Sequence, residues 1–367
     1  MKRILQIIAS LRIGGAEKVS FDIGLASLAK GDAVDYLVFG NEIGDYESEI
    51  VSKGGRVIHI DSPFKNYRKY LQTLESLMHE NHYDVVHAHT MFNIGWAMLA
   101  ASKTGVPIRI SHAHSALNDG HRLVKQVYEF AMRRLILRHS THLIACGDKA
   151  GVRLYGKKGY RNSGICILNG INTSEFAFNA EKRNAVRREL GLQNEFVIGH
   201  VGHLDDEVKN QSFLIRLMHE ILKVKPNTRL ILLGEGKDRQ RLTQLIQDKR
   251  LENHVFLIGN VRNVPDYLSA MDVFAFPSFY EGMPLSILEV QANGLPCVIS
   301  TGVPNDVFLT DLIQPISLAD SKQWVQAICN AQRRNPERYA NEMNEKGFDT
   351  KRVIQKFLDI YERTDTQ

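Results

Sequence analysis

Short apolar runs rich in β-branched residues alternate along the chain with longer segments in which apolar residues recur every three or four positions. The first pattern predicts buried strands and the second predicts amphipathic helices. One helical segment, AEKVSFDIGLASLAKG, ends at Gly31, a residue type that commonly terminates helices. Strands that alternate with helices favour a parallel sheet covered by helices. The predicted strands of the first half are ILQIIAS, VDYLVFG, GRVIHID, DVVHAHT, PIRISHAH, THLIACG and GICILNG.

The alternation starts again in the second half of the chain, around predicted helices at 212–224, 239–248, 265–271 and 285–293. The predicted strands there are FVIGHVGHL, TRLILLGEG, HVFLIGN, DVFAFPS and LPCVIST. We therefore predict an α/β fold of two Rossmann-like, doubly wound domains. Open parallel sheets bind ligands beyond the carboxyl ends of their strands, so two such sheets predict an interdomain cleft. The expected divisions are an N-terminal domain (1–172), a charged linker (173–195), a C-terminal domain (196–345) and a final helical segment (346–367) whose packing stays open.

Composition is typical of a globular protein, with 44% hydrophobic and 24% charged residues in 367. The chain has neither a signal-peptide pattern nor an apolar run long enough to span a bilayer. Its cysteines lack both C-x-x-C spacing and companion histidines, which argues against a zinc site or a disulfide framework. We expect a cytoplasmic protein. The cysteines are Cys146, Cys166, Cys297 and Cys329.

The net charge of +5 is concentrated in the first half, where residues 1–172 hold 22 Lys and Arg against 15 Asp and Glu. Within it, HRLVKQVYEFAMRRLILRH (121–139) mixes apolar with basic residues and is compatible with a helix that lies on an anionic membrane. The same helix must also cover the sheet, so the favoured interpretation assigns its apolar residues to the core. No recognition module accompanies the charge, which disfavours nucleic acid as a partner. The apolar residues concerned are Leu123, Val127, Phe130, Leu135 and Leu137.

The segment FYEGMPLSILEVQANGLP follows the predicted strand DVFAFPS, and Pro284 favours the first turn of the next helix. The free backbone N–H groups around Met283 to Ser286, with the helix dipole, form an anion site suited to a diphosphate, which Gly282 allows to approach closely. Glu289, about one turn inside, can accept hydrogen bonds from ribose hydroxyls, and Glu281 faces the group beyond the phosphates. A simple preference of carboxylates for the positive end of a helix is the alternative explanation.

Two further loops carry candidate ligand-binding groups. Gly14 and Gly15 follow the first strand and open a helix, although they do not form G-x-G-x-x-G, and a plain strand-to-helix turn is the alternative. Lys209 in VGHLDDEVKN follows the first strand of the second domain, where it can neutralise a departing diphosphate or lie unused on the surface.

Four histidines end two predicted strands as the i, i+2 pairs His87/His89 and His112/His114, so they approach one sheet edge. No carboxylate lies between the members of a pair, which argues against a metal site. Hydrogen bonding to a sugar or acceptor hydroxyl is favoured, and ordinary core histidines are the alternative for at least two of them.

Taken together, GGAE, SHAHS, VGHLDDEVKN and FYEGMPLSILEVQANGLP resemble the retaining glycosyltransferases of family 4, which have the two-Rossmann-domain GT-B fold. The resemblance covers nearly the whole chain and is greatest with enzymes that build bacterial exopolysaccharide or capsule. It implies transfer of a sugar from a nucleotide sugar, expected to be a UDP-sugar, to an acceptor hydroxyl with retention at the anomeric carbon. No cofactor or metal is expected, and the lack of a D-x-D triplet agrees with this. The implied acceptor is a polyprenyl diphosphate-linked saccharide at the inner face of the membrane.

The resemblance also implies roles for individual residues. The donor-side roles are Lys209 for the diphosphate, Glu281 for the donor sugar, Glu289 for the ribose, and the backbone of Gly282, Met283, Pro284 and Leu285 for the phosphates. His114 corresponds to the family histidine near the reacting sugar, with His112 as its rival. Gly14 and Gly15 correspond to backbone donors near the phosphates or the acceptor.

One position departs from the family pattern, because His203 stands where many relatives have arginine. A neutral histidine stabilises a departing diphosphate less than arginine does, unless His203 is protonated or Arg262 substitutes. This departure favours one alternative function, a non-catalytic partner subunit that binds a nucleotide sugar. A nucleotide-sugar epimerase, which would have a similar two-domain fold and a diphosphate site, is the other alternative.

Overall fold

The computed structural model describes residues 1–62, 66–114, 123–281 and 283–362, which form two compact units. The first unit comprises Met1–Asn169 together with the C-terminal segment from Lys351, and the second comprises Gly170–Thr350. Both units are built from parallel strands and covering helices, so the predicted fold class is confirmed.

The strands, in chain order, are β1 (Arg3–Ile7), β2 (Ala33–Phe39), β3 (Arg56–Ile60), β4 (Val85–Ala88), β5 (Ile108–Ala113), β6 (His142–Ala145), β7 (Gly164–Cys166), β8 (Phe196–Val201), β9 (Thr228–Leu233), β10 (Val255–Gly259), β11 (Val273–Phe276), β12 (Cys297–Ser300) and β13 (Ile313–Ile316).

The helices are α1 (Gly15–Ala29), α2 (Glu47–Ser52), α3 (Tyr67–Asn81), α4 (Ile94–Lys103), α5 (Leu123–His139), α6 (Asp148–Ser163), α7 (Thr173–Phe176), α8 (Ala180–Glu189), α9 (Asp206–Lys209), α10 (Gln211–Val224), α11 (Arg239–Asp248), α12 (Val264–Ala270), α13 (Leu285–Ala292), α14 (Ser321–Asn330), α15 (Glu337–Glu345) and α16 (Thr350–Glu362), with 3₁₀ turns at Met91–Asn93 and Asn305–Val307.

The two sheets share one winding pattern. The first has the order β3-β2-β1-β4-β5-β6-β7 and the second has the order β10-β9-β8-β11-β12-β13, with parallel pairing throughout. In each sheet the chain winds outward from the centre in both directions, as in doubly wound nucleotide-binding folds. Central strands such as β4 and β11 are buried at every residue because helices cover both faces.

Each of the twelve sequence-predicted strands overlaps an observed strand, whereas β13 was not predicted. Its sequence, IQPI, is short and contains Pro315, which cannot donate a ladder hydrogen bond. Proline is tolerated there because β13 lies at the edge of the second sheet.

The C-terminal helix α16 packs into the core of the first unit. Its apolar face, with Val353, Phe357, Ile360 and Tyr361, joins a buried cluster that also contains residues of β1, β2, β4 and β5. The final helical segment, whose position the sequence does not indicate, therefore belongs to the first unit.

Two helices occupy the expected linker at 173–195. Both α7 and α8 belong to the second unit, and Arg183 of α8 forms a 2.7 Å ion pair with Asp272, which precedes β11. The units therefore divide between Asn169 and Gly170.

The favoured assignment of the apolar residues of α5 to the core is wrong for Leu123, Val127, Phe130 and Leu137, which are exposed. The buried face of this helix carries Met132 and Ile136 instead. Met132 lies against Gly95 of α4, where an added Cβ would be only 3.0 Å from the Met132 carbonyl oxygen, and this close packing turns the other apolar residues outward. Among the described helices, none is both long and apolar enough to cross a bilayer.

Replacing Phe357 by alanine should destabilise the first unit by ~3–5 kcal/mol, because it leaves a cavity beneath the sheet. Urea unfolding followed by hydrogen–deuterium exchange of β1 and β4 peptides would measure the change. As a control, Lys356→Ala on the exposed side of α16 should change the free energy of unfolding by less than ~0.5 kcal/mol. Equal effects of the two substitutions would contradict the observed packing.

Candidate functional site

The carboxyl ends of β8 and β11 form the point in the second sheet where the chain winds apart. These strands are neighbours, while β9 lies beyond β8 on one side and β12 lies beyond β11 on the other. The loops that follow β8 and β11 therefore diverge and leave a crevice, which is the usual ligand site of such sheets.

Two hydrogen bonds join the loops that follow β8 and β11. The Phe279 N–H donates to the Val208 carbonyl (2.9 Å), and the Asn210 side-chain amide donates to the Pro277 carbonyl (3.3 Å). Asn210 adopts a left-handed backbone conformation (φ 54°) that separates α9 from α10, a conformation that asparagine tolerates better than most residues. The short helix α9, which ends in Lys209, is thereby held against the loop that carries Glu281.

Lys209 and Glu281 form an ion pair in this crevice, with Nζ and Oε1 2.7 Å apart. The two side chains are only 18% and 10% exposed, and the ammonium also lies 4.9 Å from the centre of the Phe276 ring. A carboxylate and an aromatic face both stabilise a positive charge. Two residues that the sequence assigned to donor binding are thus in direct contact.

His200 lies beneath this pair and was not singled out from the sequence. Its Nδ1 donates to the Ala275 carbonyl (3.0 Å), and its ring stacks on Phe276. Burial, with a smaller contribution from the charge of Lys209, lowers the pKa of His200 to about 4, so the ring is neutral. Gly202 allows this packing, because an added Cβ would be 3.2 Å from His200 Nε2 and 3.4 Å from Lys209 Cε.

Helix α13 starts in the same region at Leu285, as predicted, although Pro284 precedes the helix and does not lie in its first turn. Pro284 caps it with ψ 112°, because the proline ring restricts φ but leaves ψ free to stay extended. The first helical N–H groups, starting at Leu285, lack intrahelical acceptors and present a partial positive charge. Glu289 lies one turn inside and is half-buried, Met283 is buried, and Gly282 is outside the described residues.

Several residues that hold these loops in place were not predicted from the sequence. Ser300 donates to the Ser278 carbonyl, and an added Cβ at Gly302 would lie 2.1 Å from the Phe279 carbonyl oxygen. An added Cβ at Gly234 would likewise lie 2.1 Å from the Gly202 carbonyl oxygen. Glycines at or just after the ends of predicted strands were the available signal, since they permit such close approach of backbones.

The two candidate substitutes for the family arginine lie in different loops. His203 follows β8 and is exposed, and its backbone carbonyl accepts a 2.8 Å hydrogen bond from Gln211. Arg262 is also exposed, but it follows the edge strand β10, which is two strand spacings or ~10 Å from β8. His203 therefore shares a loop with Lys209, whereas Arg262 does not.

In the first unit the four predicted histidines come together at the carboxyl ends of β4 and β5. His89 Nδ1 is 2.7 Å from His114 Nε2, and His87 Nε2 is 3.2 Å from His112 Nδ1. Burial lowers the pKa of all four, that of His114 to about 3, so they are neutral imidazoles.

These histidines are also the residues to consider for a metal ion. The possible ligand atoms of His87, His89 and His112 lie within 4.8 Å of one another. However, five of the six ring nitrogens in this trio already have hydrogen-bond partners. The arrangement therefore favours a hydrogen-bonded cluster over a metal centre.

Gly14 and Gly15 lie at the start of α1, as the sequence indicated, with Gly14 in an extended conformation (φ −169°). The carboxylate of Glu17 also lies there, since an added Cβ at Gly14 would be 2.3 Å from Glu17 Oε2. Burial raises the pKa of Glu17. An anionic ligand at this helix start would meet that carboxyl group, whereas the start of α13 has no acidic residue in its first turn.

Both halves of the chain match glycosyltransferase family models. Residues 13–175 match the model described as Glycosyltransferase Family 4, and residues 182–316 match the model described as Glycosyl transferases group 1. The chain is 30% identical to EpsF of Bacillus subtilis, which is named as a glycosyltransferase, over 98% of this chain and 96% of the relative. The chain belongs to the family 4 glycosyltransferases.

Two further similarities accompany this assignment. The glycosyltransferase is 28% identical, over 80% of its own length and 79% of the relative, to the UDP-Gal:α-D-GlcNAc-diphosphoundecaprenol α-1,3-galactosyltransferase of Escherichia coli. Its fold matches Anabaena HepE, solved in complex with UDP and glucose, with a TM-score of 0.83 and 21% identity over 98% of this chain and 99% of HepE. The two-unit architecture is therefore the GT-B fold.

The histidine cluster makes the stability of the first unit depend on pH. In the folded protein the pKa values of the four histidines lie below the ordinary value of 6.5. At a pH between the lowered pKa and 6.5, the unfolded protein therefore binds more protons than the folded one. The contribution to stability is complete above pH 6.5 and is lost as the pH falls below it, by up to ~1.4 kcal/mol per pH unit for each histidine.

Urea unfolding of the first unit between pH 7.5 and 5 should show this loss, and His112→Asn should reduce the slope. Equal free energies of unfolding at pH 7.5 and 5.5 would contradict a neutral buried cluster.

Proposed function

We propose that this glycosyltransferase moves a sugar from a uridine diphosphate sugar to a hydroxyl of a lipid-linked saccharide, with retention at the anomeric carbon and without a metal ion. The proposed setting is the synthesis of an exopolysaccharide or capsule at the cytoplasmic face of a membrane. Support for the nucleotide comes from HepE, whose crystals contained UDP, and support for a lipid-linked acceptor comes from the name of the E. coli relative.

The observation that carries the proposal is the Lys209–Glu281 pair beside the start of α13. A diphosphate bound at that helix start would receive backbone N–H donors and the positive charge of Lys209. Glu281 would then be available to accept hydrogen bonds from sugar hydroxyls, and Glu289 would accept them from the ribose. The cation, the helix end and the carboxylates match the successive parts of a nucleotide sugar.

The proposed reaction uses the leaving diphosphate to help deprotonate the acceptor on the same face of the sugar. Retaining hydrolases instead form a covalent intermediate with one of two carboxylates that flank the scissile bond. Glu281 and Glu289 are both assigned to binding of the donor in this proposal, so it includes no carboxylate nucleophile. Catalysis would rest on orientation of the two substrates and on stabilisation of the developing phosphate charge by Lys209 and the α13 backbone.

His203 enters this proposal as a weaker partner than arginine for the diphosphate. It is exposed and lies six residues before Lys209, so its imidazole can approach the same ligand. Its ring N–H can donate a hydrogen bond to a diphosphate oxygen.

Release of UDP from a panel of UDP-sugars, with and without membrane lipid extract, would test the function. One sugar should give lipid-dependent release. Lys209→Ala should lower kcat by ~10²–10³-fold because it removes charge stabilisation of the leaving group. Glu289→Ala should lower kcat/KM by ~10–100-fold, the value expected for a lost hydrogen bond to a charged group.

Lys223→Ala provides a matched control, because this exposed lysine lies at the far end of α10 and pairs only with the exposed Glu220 among the described residues. Its activity should equal that of the wild type. Saturable donor binding without turnover would instead indicate the partner subunit, and release of a rearranged nucleotide sugar without acceptor would indicate an epimerase.

The proposed contact with the membrane rests on the outward face of α5. Leu123, Val127 and Phe130 are 78%, 69% and 58% exposed, and the same helix carries Arg134 and Arg138, which are also exposed. Neighbouring apolar side chains on an exposed helix, with adjacent basic residues, are the features of a helix that lies in an anionic bilayer interface.

Val127→Ser combined with Phe130→Ser should weaken binding to phosphatidylglycerol vesicles by at least ~10-fold, because burial of one such side chain contributes ~1.5–3 kcal/mol. Vesicle co-sedimentation at several salt concentrations would measure it. Val224→Ser, at a 63% exposed position in the second unit, is the control and should leave binding unchanged. Equal binding by the double variant and the wild type would contradict a role for α5.

A further inference from the structure

A continuous chain of hydrogen bonds links the four histidines through Gln6 and Tyr361. His114 Nε2 contacts His89 Nδ1, and His89 Nε2 lies 2.9 Å from Gln6 Oε1. The Gln6 amide nitrogen donates to the Tyr361 hydroxyl (2.9 Å), which is 2.7 Å from His87 Nδ1. The last link joins His87 Nε2 to His112 Nδ1.

The chemistry of Gln6 fixes the direction of the first part of this chain. An amide oxygen can only accept, so His89 must donate from Nε2. A neutral imidazole has one N–H and one lone pair, which leaves His89 Nδ1 as an acceptor. His114 must therefore donate from Nε2, and its own Nδ1 carries a lone pair. The Ser20 hydroxyl also donates to Gln6 Oε1 (3.4 Å).

The second part follows in the same way. Because the amide nitrogen of Gln6 donates to the oxygen of Tyr361, the hydroxyl hydrogen of Tyr361 is free to donate to His87 Nδ1. His87 then donates from Nε2 to His112 Nδ1, and His112 carries its hydrogen on Nε2. All four imidazoles are thereby assigned to a single tautomer, with the hydrogen on Nε2.

The two end atoms of this series of hydrogen bonds have no hydrogen-bond partner among the described residues. His114 Nδ1, a lone pair, and His112 Nε2, an N–H, are buried atoms without a hydrogen-bond partner in the part of the chain that the structure describes. Their rings are neighbours, with centroids 4.0 Å apart. An unsatisfied buried polar atom costs ~1–3 kcal/mol, so two of them on adjacent rings mark a place where a ligand group is expected.

We propose that Gln6 and Tyr361 are positioning residues that hold His114 with its hydrogen on Nε2, so that Nδ1 accepts a hydrogen bond from a substrate hydroxyl. This inference rests on the proposed function, since that function brings a sugar or acceptor hydroxyl to His114. A hydroxyl can donate to a lone pair, whereas a phosphate oxygen of a dianion cannot. The lone pair on His114 Nδ1 therefore favours a hydroxyl as its partner and disfavours a phosphate.

The position of Tyr361 makes this arrangement depend on α16. Tyr361 is fully buried among residues of the first unit, and its ring also stands edge-on to His87. Loss of its hydroxyl alone would leave His87 Nδ1 and the Gln6 amide without their shared partner. The tautomers on both sides of the break would then no longer be fixed relative to each other.

Long-range ¹⁵N–¹H NMR of the histidine-labelled full chain would report each tautomer directly. We expect His87, His89, His112 and His114 of the wild type all to carry hydrogen on Nε2. Tyr361→Phe, which keeps the ring and removes only the hydroxyl, should give mixed tautomers at His87 and His112. Gln6→Met, a second variant of similar volume, should release His89 and His114 as well. Hydrogen on Nδ1 of His114 in the wild type, or unchanged tautomers in both variants, would overturn the proposal.

Tyr155→Phe is the matched control, because this buried tyrosine of the same unit donates only to the backbone carbonyls of Ser111 and Ile144 among the described residues. It should leave the tautomers and the rate unchanged. Gln6→Met should lower kcat/KM with the preferred UDP-sugar by about 10-fold, with most of the loss in kcat, since it misorients the group that meets the hydroxyl. Released tautomers with wild-type kcat/KM would overturn the positioning role.

The two proposals fail in different ways. If the wild type released no UDP while its tautomers were as expected, the proposed function and the hydroxyl contact that rests on it would be overturned. If the wild type were active while His114 carried its hydrogen on Nδ1, the function would stand and the positioning role would fall.

Discussion

The geometry of the second unit depends on a pair of hydrogen bonds that hold the loops after β8 and β11 together. The bonds from Phe279 to Val208 and from Asn210 to Pro277 bring a short helix with a terminal lysine against a loop with a glutamate. Without them, Lys209 and Glu281 would lie on two separate loops that happen to leave neighbouring strands. The ion pair is therefore a product of backbone geometry, and the left-handed conformation at Asn210 is its least replaceable element.

Much of this could be predicted from the sequence, because hydrophobic periodicity reports directly on buried strands and helices. The strand containing VVHA was predicted since all its residues face a covering layer, and the segment around Glu281 was singled out by its Gly-Met-Pro turn. Contacts that depend on strand order, such as the one between Lys209 and Glu281, follow only once β8 and β11 are known to be neighbours. Local patterns do not contain that information.

The errors have the same origin. Apolar residues of α5 were assigned to the core because periodicity shows that a helix is amphipathic but does not show which neighbours cover it. Pro315 hid β13, because a residue that is unfavourable inside a sheet is harmless at its edge. His200 was overlooked since a histidine inside an apolar strand has no sequence signal that separates a support for a lysine from ordinary packing.

The placement of α16 bears on the order in which the chain folds during synthesis. The first unit starts at the N-terminus, yet its core includes Phe357 and Tyr361, which the ribosome adds only after the whole second unit has been made. Domains tend to fold as soon as their sequence is available. The first unit therefore emerges with an incomplete core and an uncovered sheet face, and it cannot finish folding before α16 is made. The second unit can fold as soon as its sequence has emerged. In a nascent chain of this topology, the N-terminal half keeps apolar surface exposed until α16 has been synthesised.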